Sequence, residues 1–227
     1  MWNYQICDTQ LERVSSVKDL GVILDSSLTF RDHYSSIIAK ANRNLGFIMR
    51  TTKDFTDPHS LRTLYFSLVR SSLETACVVW SPFTALWITR FEAVQRKFTR
   101  FALRLLPWNN LANIPPYDIR CRLLEMENLC NRRNSIRAIF AAKLLLGVVD
   151  APVLLYQLNL YMPSTSLRRR DPLRLDFRRT EYGRNEPVIS ICRQFNEVYE
   201  FFDYTISVPM FKNRLKRRLL ESAVRER

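Results

Sequence analysis

The sequence predicts a mainly α protein: a helical bundle with a small N-terminal antiparallel β-sheet and a helical C-terminal tail. Apolar residues recur at helical spacing along most of the 227 residues, and only four glycines are present, too few for the tight turns of a β-sandwich. A two-residue alternation, the mark of a strand, ends by Leu24. At 47% hydrophobic residues the chain has ample material for a buried core.

In the first segment Trp2, Tyr4 and Ile6 alternate, then Val14 and Val17, then the run Leu20-Gly21-Val22-Ile23-Leu24. So small a sheet is not stable alone in water, so it is expected to continue into strands outside the chain. After Asp25-Ser26-Ser27 the period becomes helical. A helix over 32–52 places Tyr34, Ile37, Ile38, Ala41, Leu45, Ile48 and Met49 on one face and Lys40, Arg43 and Arg50 roughly opposite. Asp57-Pro58 is an N-cap with proline at the first helical position. Leu61, Leu64, Tyr65, Leu68, Val69, Leu73 and Ala76 mark the buried side of the helix that follows, which Trp80-Ser81-Pro82 ends. A third helix, 85–106, turns Ile88, Phe91, Val94, Phe98, Phe101 and Leu105 inward and Arg96, Lys97, Arg100 and Arg104 outward.

Beyond it, 107–116 reads as a linker and 117–126 as a short helix. A longer helix over 129–146, with Ile136, Ile139, Phe140, Lys143 and Leu144 at helical spacing, is closed by Gly147. Residues 151–158 add one or two turns. From 162 to 187, Arg168, Arg169, Arg170, Arg174, Arg178, Arg179 and Arg184 are interleaved with Phe177 and Tyr182, and prolines break any regular element. Two amphipathic tail helices, 188–202 and 208–225, complete the chain. The second follows Ser207 and carries Lys212, Arg214, Lys216, Arg217 and Arg218. The expected divisions are 1–30, 31–106, 107–161, 162–187 and 188–227.

A formal charge of +13 and a pI near 9.9 favour a polyanionic partner. The outer face of the third helix carries cations with almost no acid to balance them, which favours contact with a polyanion over mere solvation. The arginine-rich loop is equally consistent with phosphate binding plus aromatic stacking on bases and with a plain surface linker. The five cysteines are scattered with no zinc spacing, and with His33 and His59 the only histidines they read as reduced core thiols of an intracellular protein. Both histidines fall at helix starts, where a polar residue is ordinary.

No adjacent aspartates exist to hold two cations, no glycine-rich phosphate loop is present, and no nucleophile has an evident histidine partner. An autonomous catalytic site is not expected, nor a cofactor or metal. The N-terminus lacks the pattern of a signal peptide, and no apolar run approaches the ~20 residues needed to cross a bilayer, so no membrane partner is expected.

The stretch Leu-Glu-Arg-Val-Ser-Ser-Val-Lys-Asp-Leu-Gly-Val-Ile-Leu-Asp-Ser-Ser-Leu-Thr-Phe, residues 11–30, resembles the region just past the active site in jockey-like non-LTR (LINE-type) retrotransposon reverse transcriptases. His33, Lys40-Ala41, Leu45-Gly46-Phe47-Ile48 and Arg50 continue the resemblance. So do Leu68-Val69-Arg70-Ser71, Leu73-Glu74, Val79-Trp80-Ser81-Pro82, the run from Glu92 to Phe98, Arg132-Arg133 and the run from Pro152 to Leu155. Each motif is ordinary alone; their order and spacing carry the likeness over nearly the whole chain.

The resemblance implies that 1–30 is the end of the palm, with Lys18 and Gly21 in a primer-grip-like strand, and that 31–106 is a thumb-like bundle. It places the catalytic aspartates upstream, so the chain alone is expected to be inactive, while the parent RNA-directed DNA polymerase would use Mg. Implied partners are the RNA template, the RNA·DNA primer-template duplex, target DNA, and the upstream palm and fingers, in nucleus and cytoplasm. Lys18, Gly21, Lys40, Arg43, Arg50, Arg96, Lys97, Arg100, Arg104 and Arg168 to Arg170 are the expected contacts. The alternative is a stand-alone or domesticated helical RNA- or DNA-binding protein.

Overall fold

The computed structural model describes residues 4–7, 9–10, 12–55, 57–105, 114–160 and 171–225. Trp2, the linker over 107–113 and the loop over 162–170, including Arg168, Arg169 and Arg170, lie outside the described residues. The protein is mainly helical, as expected.

In place of one sheet there are two separate hairpins. Strands β1 (Gln5–Ile6) and β2 (Thr9–Gln10) form the first; β3 (Ser16–Asp19) and β4 (Val22–Asp25) form the second, in the register Asp19↔Val22 to Ser16↔Asp25. The second turns on Leu20 and Gly21, both at positive φ (44° and 87°), the two-residue geometry whose twist matches a hairpin. A Cβ at Gly21 would meet nothing, so glycine is used there for its backbone freedom. Asp25 then organises the descent into α1 (Arg31–Thr51), its carboxylate accepting from the amides of Ser27, Thr29 and Phe30 and from the Thr29 hydroxyl.

His33 departs from its expectation as an ordinary helix-start residue. It is 3% exposed, packs edge-on against Trp80 at 5.1 Å, and its Nδ1 accepts the Ile23 amide at 3.3 Å, tying β4 to α1. Burial, with help from the charge of Lys18, lowers its pKa below the usual 6.5. A depressed folded value means that stability is fully present above about pH 6.5 and falls as pH drops toward the folded value, because the unfolded chain takes the proton first. The Ile23 amide should therefore lose hydrogen-exchange protection between pH 7.5 and 5.5, after correction for intrinsic rates, while total helicity stays constant. Equal protection at both pH values would show that this junction does not depend on neutral His33.

Asp57 caps α2 (Pro58–Tyr65) as expected, accepting from the His59 and Ser60 amides, with Pro58 in the first turn. The helix then widens into a π-turn segment (Phe66–Arg70), continues as α3 (Ser71–Glu74), breaks at Ala76 (φ 54°) and resumes as α4 (Cys77–Trp80). Leu61, Tyr65, Val69, Leu73 and Cys77 are all buried although they stand four apart. In a pure α-helix each such step drifts about 40° around the axis; the wide turn absorbs the drift and keeps the row on the core. For the same reason Leu68, expected inside, lies outside; Ala76, also expected inside, is exposed at the break itself.

The long helix α5 (Ala85–Leu105) packs on α1, and Tyr65 stacks on Phe98 at 4.1 Å. Trp80, 1% exposed, donates its indole N–H to the Thr75 carbonyl, receives the Tyr34 hydroxyl on its own carbonyl at 2.7 Å, and stacks on Phe91. Helices α6 (Tyr117–Leu123) and α7 (Leu129–Leu145) close this core. Gly147, at φ 66°, ends α7 in a Schellman arrangement, Val148 N–H to Lys143 O and Gly147 N–H to Leu144 O.

The far half of α7 helps build a second apolar cluster with α8 (Pro152–Gln157), α10 (Pro187–Asn196) and α11 (Val208–Arg225). Being covered on both sides, α7 buries Ala138, Ala141 and Ala142, where small side chains admit α10 closely, and leaves the expected Ile136, Ile139 and Phe140 half-buried. Within the span expected as an extended basic loop, Leu173 bridges Leu160, and a short helix, α9 (Glu181–Arg184), is capped by Thr180.

Candidate nucleic-acid interface

Inward packing of α5 through Phe91, Val94, Gln95, Phe98 and Ala102 fixes what its opposite side presents. Arg96, Lys97, Arg100 and Arg104 are all exposed and, at about 100° per residue, fall within an arc of roughly 100°. On α1 the burial of Tyr34, Ala41, Leu45 and Ile48 likewise turns Lys40, Arg43 and Arg50 to solvent in one stripe. Arg50 lies back over Gly46, its Nη1 3.4 Å from where a Cβ would stand. Lys18 is exposed on β3 and Gly21 on the adjoining turn, near His33 at the other end of α1.

Charge is allotted unevenly. Arg62 pairs with Glu125, Arg132 holds Glu74 in a two-point grip of 2.5 and 3.0 Å, Arg174 meets Asp176, and Arg178 meets Glu186. None of the cations on the outer faces of α1 and α5 is in an ion pair among the described residues. The ion pairs tie up arginines away from these two faces, which keep their charge free for a partner.

Sequence reasoning missed two residues at this site. Tyr117 sits between α5 and α6, its hydroxyl donating to Glu92 at 2.5 Å and accepting from Gln95 Nε2 at 2.9 Å. The guanidiniums of Arg96 and Arg120 lie 5.0 and 5.7 Å from its ring centre. Arg120 is 4% exposed, close under the surface, and burial, then the charges of Arg100 and Arg96, lower its pKa. The signal was the spacing of Arg120 from Tyr117, one helical turn, which needs the fold to gain meaning.

Among the described residues no group of three or more His, Cys, Asp or Glu is placed to hold a metal ion. Burial pushes the Cys77 and Cys192 thiols up to about 11 and raises Cys121, so these remain protonated. Cys7, expected in the core, is instead exposed, as are all the residues of β1 and β2 beside it. A groove of about 750 Å³ between α7 and α11 is lined by apolar residues such as Phe66, Ile136 and Phe140, by Lys143, Lys212 and Lys216, and by Glu125 and Glu127. No described helix is long and apolar enough to cross a membrane.

Compared with protein-family models, curated proteins and solved structures, the chain matches none of them.

Proposed function

We propose that this chain holds nucleic acid for an RNA-directed DNA polymerase of the non-LTR retrotransposon type, as the primer-gripping and thumb-like region that follows the catalytic centre. Its role is to bind the RNA·DNA primer-template duplex through the sugar-phosphate backbone. The observation that carries this reading is the pair of uncompensated cationic faces on α1 and α5. A duplex clamp must hold every sequence alike, so it needs cations aimed at phosphates in place of groups that read base edges. The ordered motifs from Leu11 to Leu155 support the same assignment by resemblance. Lys18, on the exposed hairpin beside α1, supplies a further cation at one end of that helix.

The purified chain should bind RNA·DNA duplex without sequence preference, with log affinity falling steeply with log salt at about 0.9 per phosphate neutralised. It should incorporate no nucleotide on a primed RNA template with Mg present. Absence of duplex binding at low salt, or binding insensitive to salt, would overturn the duplex-holding role; nucleotide incorporation would overturn the placement after the catalytic centre.

A further inference from the structure

We infer that Arg120, with Arg96 and Arg100, forms a built phosphate site at the α5–α6 junction, organised around the ring of Tyr117 and occupied by a backbone phosphodiester of bound nucleic acid. This deepens the duplex-binding reading and rests on it.

Tyr117 is immobilised by Glu92 and Gln95, so its ring is a fixed platform. Two guanidiniums lie over that platform, 5.0 Å from its centre for Arg96 and 5.7 Å for Arg120. Arg100, one turn along from Arg96, adds a third cation whose charge bears on Arg120. No carboxylate pairs with any of the three among the described residues.

Arg120 is what separates this cluster from a solvated charged face. At 4% exposure its Nε is sealed from solvent with no acceptor. For packing alone, such an arginine is a poor choice, since burial and two like charges both disfavour it and an apolar side chain of similar length would fill the space. Arg133 provides the contrast. Its two terminal nitrogens are sealed without an acceptor, so no external ligand reaches them, whereas those of Arg120 are not sealed. A guanidinium with its Nε sealed and its terminal nitrogens not, beside two further cations, matches a phosphate's paired oxygens.

The test uses the full chain, an RNA·DNA duplex of about 16 base pairs, inorganic phosphate, and the variants R120M, R120K, R96Q and R96Q/R120M. R120M should melt no lower than the wild type yet bind duplex roughly five- to tenfold more weakly at ~100 mM salt, with a salt slope smaller by about one. R120K keeps the charge without the planar fork and should also lose several-fold, so a poorly folding R120M does not leave the question open. R96Q/R120M should lose little more than R120M, because both residues serve one phosphate.

Wild-type duplex affinity shared by R120M and R120K would overturn the site while leaving the broader reading intact. Fully additive losses would overturn a single shared phosphate. Arg120 Nε–H resonances that respond to inorganic phosphate and not to duplex would overturn the assignment to nucleic acid. A wild-type chain that binds no duplex would overturn both readings.

Discussion

Reversing Arg96, Lys97, Arg100 and Arg104 together to glutamate is expected to weaken RNA·DNA duplex binding roughly a thousandfold near ~100 mM salt, with the salt slope reduced by about three to four. Each phosphate no longer neutralised withdraws its share of counterion release, and each new carboxylate repels the backbone. Folding should be spared: all four side chains are exposed and none is ion-paired among the described residues. The Tyr117 ring gives up the Arg96 guanidinium beside it but keeps its hydroxyl anchored on Glu92 and Gln95. The loss of affinity should be uniform across duplex sequences, as phosphate contacts require. A matched reversal of Lys212, Arg214, Lys216 and Arg217 on α11 separates this face from net charge. Equal losses from both sets in fluorescence-anisotropy titrations would show that overall charge, and not the α5 face, governs binding.

Glu92→Leu is expected to destabilise the protein by about 3 to 5 kcal/mol, a large part of the stability of a domain this size. Glu92 is 6% exposed, and its two oxygens have separate tasks: Oε2 accepts the Tyr117 hydroxyl at 2.5 Å and Oε1 accepts the Cys130 amide at 2.8 Å, in the first turn of α7. Leucine strands both donors. It also removes the strongest favourable charge acting on Arg133, whose guanidinium burial pushes down from its usual range and which lies 5.2 Å from the Phe91 ring. Arg133→Met alone should be nearly neutral or stabilising, since it withdraws a charge whose terminal nitrogens find no acceptor. In the double variant the loss from Glu92→Leu should shrink, because no charge is left stranded. Urea denaturation midpoints measure all three, and strictly additive changes would show that Glu92 and Arg133 are not coupled.

Local chemistry made much of the fold legible. Asp57-Pro58 announces the start of α2 and Gly147 the end of α7, because an N-cap and an αL residue act on backbone groups a few positions away. The apolar periods of α1 and α5 located those helices, and the complement of each period located the outward cations. Other features stayed hidden for a common reason. The wide turn at Phe66–Arg70 is selected by a buried row spaced four apart that only the packed core requires. His33 looks like a polar helix-start residue until Trp80, far along the chain, closes over it.

The sequence by itself determined the helical class, the positions of the main helices and the cationic faces of α1 and α5, because periodicity and capping are local and charge is compositional. Tertiary structure decided which cations remain free and which are consumed. It paired Arg132 with Glu74, 58 residues away, set Glu92 beside Tyr117 and Cys130, and brought Arg120 and Arg96 over one tyrosine ring. Counter-charge and burial depend on distance through space, and that quantity exists only once the chain has folded.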